Sequence, residues 1–121
     1  MFFILGTRFG GDIRDPSDAE LESALHDIYD EDHPHLTEDD YAEHPDASVR
    51  FGDDSGPMFV VTATRKGRIE FFQWADADYE QELAPPGHLK DVPFENALRL
   101  WRTARRGEIA SLRQEPWLAV S

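Results

Sequence analysis

Three histidines and a dense run of carboxylates are the residues of this sequence best suited to chemistry. His33, His35 and His44 stand among Asp30, Asp32, Asp39 and Asp40. Imidazole and carboxylate together make an ordinary ligand set for zinc and other divalent ions. Here the spacing matches no closed site. Pro34 stiffens His33-Pro34-His35, so its two rings need not converge, and no EF-hand oxygen loop is present. The reading is a solvated acidic segment whose histidines reduce its negative charge below about pH 6.5. No metal is expected, and the absence of Cys removes disulfides, thiolate nucleophiles and Cys-based zinc sites.

Other catalytic arrangements are equally faint. The 25 Asp and Glu residues offer many pairs for acid/base work, but none stands out by spacing. Gly52-Asp53-Asp54-Ser55-Gly56-Pro57 sets a serine among glycines and aspartates, as the nucleophile loop of trypsin-like proteases does. The residues around Ser55 depart from that loop, and 121 residues are too few for the two barrels such a triad uses. The segment reads as a turn between strands. No phosphate-binding glycine loop or dinucleotide fingerprint occurs. No catalytic residue and no cofactor is therefore expected.

Charge is more informative. Against the 25 acids stand 12 Lys and Arg, a net charge of −13. Residues 1–54 hold 16 acids and three bases, Arg8, Arg14 and Arg50, whereas residues 55–121 hold nine of each. The whole excess lies in the front half, densest from Asp27 to Asp46, where no Lys or Arg occurs. A nucleic-acid binder needs a basic surface to neutralise phosphates, so direct binding of nucleic acid is not expected. A solvated loop that keeps the protein soluble is one reading of the acidic run; a docking surface for a basic partner is the other.

The elements that position these residues follow from periodicity and punctuation. The apolar opening Met1–Leu5 lacks a basic leader and reads as a strand, Phe2 to Phe9, not as a signal peptide. No run approaches a membrane span. A helix starts near Asp15-Pro16-Ser17-Asp18, where Asp15 or Ser17 is the cap and Ser17 with Glu20 has capping-box spacing. Leu21, Ala24, Leu25, Ile28 and Tyr29 give it one apolar face. Residues 30–46 read as an acidic loop. Strands are predicted at Ala47–Phe51, Met58–Thr64 and Arg68–Trp74, the last two joined by a hairpin in which Gly67 supplies positive φ. In the last strand Ile69, Phe71 and Gln73 point one way and Glu70, Phe72 and Trp74 the other, which places helices on one face and an aromatic stripe on the opposite one. Residues 75–92 read as a loop broken at Ala84-Pro85-Pro86-Gly87. A second helix starts at Pro93, repeats Phe94, Ala97, Leu98, Trp101 and Ala104 at helical spacing, carries Arg99, Arg102, Arg105 and Arg106 in its last turns and ends at Gly107. The arginines read as balancing acids within the molecule. A last strand is expected within Ile109–Val120. The order is β-α-β-β-β-α-β: an α+β fold of one domain, residues 1–121, with an antiparallel sheet and two helices packed on one face.

The C-terminal part of this pattern resembles a known family. A strand Met58–Thr64, a hairpin, an aromatic strand ending Phe71-Phe72-Gln73-Trp74, a Pro-bearing loop, a helix Pro93–Arg106 closing on Gly107-Glu108 and a terminal strand with Trp117 look like the Imm1-type immunity proteins of bacterial polymorphic toxin systems. Asp15-Pro16-Ser17-Asp18-Ala19-Glu20-Leu21 resembles the N-terminal helix of that family. The likeness spans residues 1–30 and 57–118. It implies a small cytoplasmic protein that binds a cognate toxin domain and blocks it, the toxins often being nucleic-acid deaminases.

The charge fits that role, because a toxin acting on nucleic acid presents a basic cleft that an acidic inhibitor can cover. The expected contacts are Asp30, Glu31, Asp32, Asp39, Asp40, Asp53 and Asp54, with Tyr41 as an aromatic anchor, in an interface of about 1,600 Å². Two alternatives stay open: an acidic adaptor or nucleic-acid mimic, and a small metal-dependent enzyme using the His/Asp segment.

Overall fold

Ser17 caps the first helix in the way its spacing to Glu20 predicts. Its hydroxyl accepts from the Glu20 backbone N–H at 3.2 Å, while its own N–H donates to Glu20 Oε1 at 3.0 Å. The computed structural model describes residues 2–7, 11–29, 46–52, 57–64, 67–75 and 81–119, with backbone alone at 84, 85 and 119. The elements are β1 (Phe2–Gly6), β2 (Asp12–Arg14), α1 (Asp18–Tyr29), β3 (Asp46–Gly52), β4 (Met58–Thr64), β5 (Arg68–Trp74), β6 (Glu82–Leu89), α2 (Phe94–Arg105), α3 (Ile109–Arg113) and β7 (Leu118–Ala119). The strands form one antiparallel sheet in the order β2-β1-β3-β4-β5-β6-β7. With helices gathered on one side, this is the α+β architecture that the sequence predicts.

Side chains alternate across a strand, so the registers sort the sheet into two faces. Phe3, Leu5, Val49, Phe51, Phe59, Val61, Ile69 and Phe71 fall on one face and are buried. The faces of α1 (Leu21, Leu25, Ile28) and α2 (Ala97, Leu100, Trp101, Ala104) close over them. Rings line up across the strands from Phe3 through Phe51 and Phe59 to Phe71, with centroids 5.5 to 6.4 Å apart. Trp117 then stacks on Phe71 at 5.3 Å and donates its indole N–H to the Leu112 carbonyl. A Cβ on Gly87 would come within 2.6 Å of Trp117, so the glycine is what lets the indole lie against β6.

Among the described residues, two strands and one helix exceed the predicted set. Residues 82–89 form a strand, not the loop that the two prolines imply. Proline cannot donate to a ladder, so it is tolerated at a sheet edge or a bulge. Both conditions hold here. Phe71 pairs with Gly87 and Gln73 with Ala84, so three steps on β6 oppose two on β5. On its other side β6 meets β7 only at Gly87 and His88. The first strand stops at Gly6, short of the predicted Phe9, and the chain turns through Thr7 and Gly11 into the three-residue β2. In Ile109–Val120, α3 precedes the expected strand, which is two residues long.

Candidate interaction surface

The sheet face away from the helices carries the other half of every strand. Its middle row runs Arg14, Ile4, Arg50, Val60, Phe72 across β2, β1, β3, β4 and β5. One row is Asp12, Gly6, Ser48, Thr62, Glu70, His88 and Leu118; the other is Phe2, Gly52, Met58, Trp74 and Glu82. Ser48 of β3 and Val60 of β4 lie beside the larger Phe72 and Trp74 of β5. The result is a depression of about 270 Å³ lined by Ser48, Arg50, Val60, Phe72 and Trp74, all partly exposed. The alternation on β5 is the one the sequence predicts: Ile69, Phe71 and Gln73 enter the core, whereas Phe72 and Trp74 remain at this surface. Ser48, Arg50 and Val60 carry no sequence signal of their own, since only the register brings three strands' residues into one hollow.

Ion pairs border the hollow. Arg50 Nη2 lies 3.7 Å from Asp12 Oδ2, and Arg68 Nε lies 3.7 Å from Glu70 Oε1. Asp46 and Glu82 are exposed at opposite ends of the face. His88 is buried on the same face, and its Nδ1 meets no hydrogen-bond partner among the described residues. Sequence reasoning does not single it out. Among the described residues no three His, Asp or Glu side chains are grouped to hold a metal, and no helix is long and apolar enough to cross a membrane.

The helix side answers the expectation for the arginines. Asp18 Oδ1 receives Arg105 at 2.8 Å and faces Arg102 at 3.6 Å. Arg106 pairs with Glu108 at 3.1 Å and Arg99 with Glu115 at 2.9 Å. These cations therefore balance acids within the molecule. Arg113 instead donates to the buried Gln73 at 2.8 Å, with its guanidinium 6.0 Å from the Phe59 ring.

The predicted contacts Asp30, Glu31, Asp32, Asp39, Asp40, Tyr41, Asp53 and Asp54, and His33, His35 and His44, lie outside the described residues. Their attachment points are described. The 30–45 segment runs from Tyr29 to Asp46, and the 53–56 segment joins Gly52 to Pro57. Asp46 and Gly52 are the two ends of β3, about 20 Å apart at the rise of an extended strand. The described residues that flank them thus lie at opposite ends of the sheet, Gly52 in the row of Met58 and Trp74 and Asp46 in the row of Thr64 and Arg68.

Comparison with family models, with curated proteins and with solved structures finds no match to this chain.

Proposed function

We propose that this chain is an immunity protein: it binds a cognate bacterial toxin domain with a basic surface and blocks it by stoichiometric occlusion in the cytoplasm, without catalysis. The observation that carries the reading is the placement of charge. The net −13 resides wholly in residues 1–54. Arg99, Arg102 and Arg105 of α2 and Arg106 just after it have carboxylate partners in Glu115, Asp18 and Glu108, and Arg50 has Asp12. With 25 acids against 12 Lys and Arg, one-to-one pairing within the chain cannot neutralise the excess, and charge complementarity with a basic partner accelerates encounter. The target class that the resemblance implies fits the same chemistry. A deaminase or nuclease needs a cationic cleft for its polyanionic substrate, and a polyanionic protein competes for that cleft.

The test is co-expression with the product of the adjoining gene, which on this reading is expected to carry a toxin domain. A one-to-one complex and restored growth are expected. Failure to rescue cells, with both proteins present and folded, overturns the proposal. Changing Asp32, Asp39 and Asp40 together to Lys is expected to slow association at low salt at least about tenfold. An unchanged association rate would remove the 30–46 segment from the interface.

A further inference from the structure

We infer that the sheet face opposite α1 and α2 is the docking surface, and that the hollow between Val60, Phe72 and Trp74 receives an apolar side chain projecting from a basic protein surface. This rests on the proposed function and names the surface that performs it.

Composition comes first. An antiparallel sheet with one face on its core ordinarily turns polar residues to the other face. Ser48, Thr62 and Glu70 follow that rule. Val60, Phe72 and Trp74 break it at neighbouring positions on β4 and β5, where the strand registers set Phe72 opposite Val60 and Trp74 opposite Met58. Partly exposed aromatics around a concavity are the composition of an interface centre, where an anchor from the partner displaces water. The depression of about 270 Å³ is open enough for one such side chain.

Charge selects the occupant. Arg14, Arg50 and Arg68 would oppose a basic visitor, but Arg50 and Arg68 each stand beside a carboxylate of the same face, Asp12 and Glu70, so among the described residues Arg14 is the one cation of this face without an ion pair there. Asp46 and Glu82 are exposed at its two ends. A second copy of this chain would bring another −13 against the same surface, so self-association through it is opposed. Nucleic acid is opposed for the same reason. A cationic protein surface with an apolar projection satisfies both the hollow and the field around it.

The experiment uses the purified product of the adjoining gene as probe and three variants of the full chain. Phe72→Glu and Trp74→Ser, each checked for a native circular dichroism spectrum, are expected to weaken binding roughly 100-fold, mainly through faster dissociation. Glu95→Lys, exposed on α2 on the other side of the molecule, is expected to bind within about threefold of wild type. Hydroxyl-radical footprinting of the wild-type complex supplies a readout that needs no variant: Phe72 and Trp74 should be protected relative to the free protein. Wild-type binding with unprotected Phe72 and Trp74, or with folded variants that bind as wild type, overturns this surface while leaving the proposed function standing. Absence of any wild-type binding overturns both.

Discussion

Tyr29 shows how one side chain links parts of the chain far apart in sequence. Its phenol donates to the Val92 carbonyl at 2.7 Å, and Val92 N–H in turn donates to the Gly67 carbonyl at 2.9 Å. The end of α1, the connection into α2 and the β4–β5 turn are thereby held together. Gly67 has φ +73°, and a Cβ there would sit 2.8 Å from Val92 O, so no other residue fits without movement. Tyr29→Phe is expected to cost about 1 kcal/mol at neutral pH, because the Val92 carbonyl loses its donor. Partial burial pushes the phenol from its ordinary 10 up to about 12. The folded protein therefore keeps a proton that the unfolded chain releases. That part of the stability is complete below pH 10 and is lost as pH rises through 12. Urea titrations of wild type and Tyr29→Phe between pH 8 and pH 11.5 should show the wild type losing its advantage above pH 10. A constant difference across that range would contradict the burial of the phenol.

At the level of elements, the helices show where sequence rules suffice. The capping box at Ser17 and Glu20 closes on both sides, so Ser17→Ala is expected to destabilise by about 1 kcal/mol, and Ser17→Gly by a few tenths. Thermal unfolding of the two variants measures the contrast; equal losses would mean that the cap contributes little. The capping box and the 3.6-residue apolar stripe made α1 legible, and the same stripe with Pro93 made α2 legible. Met58–Thr64 and Arg68–Trp74 were legible because β-branched and aromatic residues flank a glycine turn. The rest was hidden for separate reasons. The Pro85-Pro86 pair is a breaker in any local reading, and only the edge position and the bulge opposite Gln73 make it a strand. The five residues of α3 bury a single one, Leu112, too little periodicity to recognise. The candidate surface was half legible: alternation on β5 put Phe72 and Trp74 opposite the core, but Ser48, Arg50 and Val60 join them only through the registers of β3 with β4 and of β4 with β5. The acids on which the charge reading relied, from Asp30 to Asp40 with Asp53 and Asp54, belong to connections whose residues lie outside those described.

For the molecule as a whole, one quantity acts on folding and on binding with opposite sign. A net charge of −13 on 121 residues repels itself most strongly in the compact state. Local attractions oppose this, chiefly Asp18 with Arg102 and Arg105, Arg99 with Glu115 and Arg106 with Glu108. Each pair has at least one well-exposed member, the kind of pair worth at most about 1 kcal/mol. Repulsion summed over the excess acids is therefore expected to exceed what the pairs supply. Raising NaCl from 0.05 to 0.5 M shortens the screening length from more than about 10 Å to less than about 8 Å, which relieves the summed repulsion. The melting temperature should rise over that range. Association with a basic toxin domain should slow over the same range, because the same screening removes the attraction that steers encounter, while dissociation governed by the Phe72 and Trp74 hollow should change little. Differential scanning calorimetry and stopped-flow binding in matched buffers check the two halves together. A melting temperature that falls with salt would mean that local pairs outweigh the global field. A salt-independent association rate would mean that the acidic excess does not steer the partner.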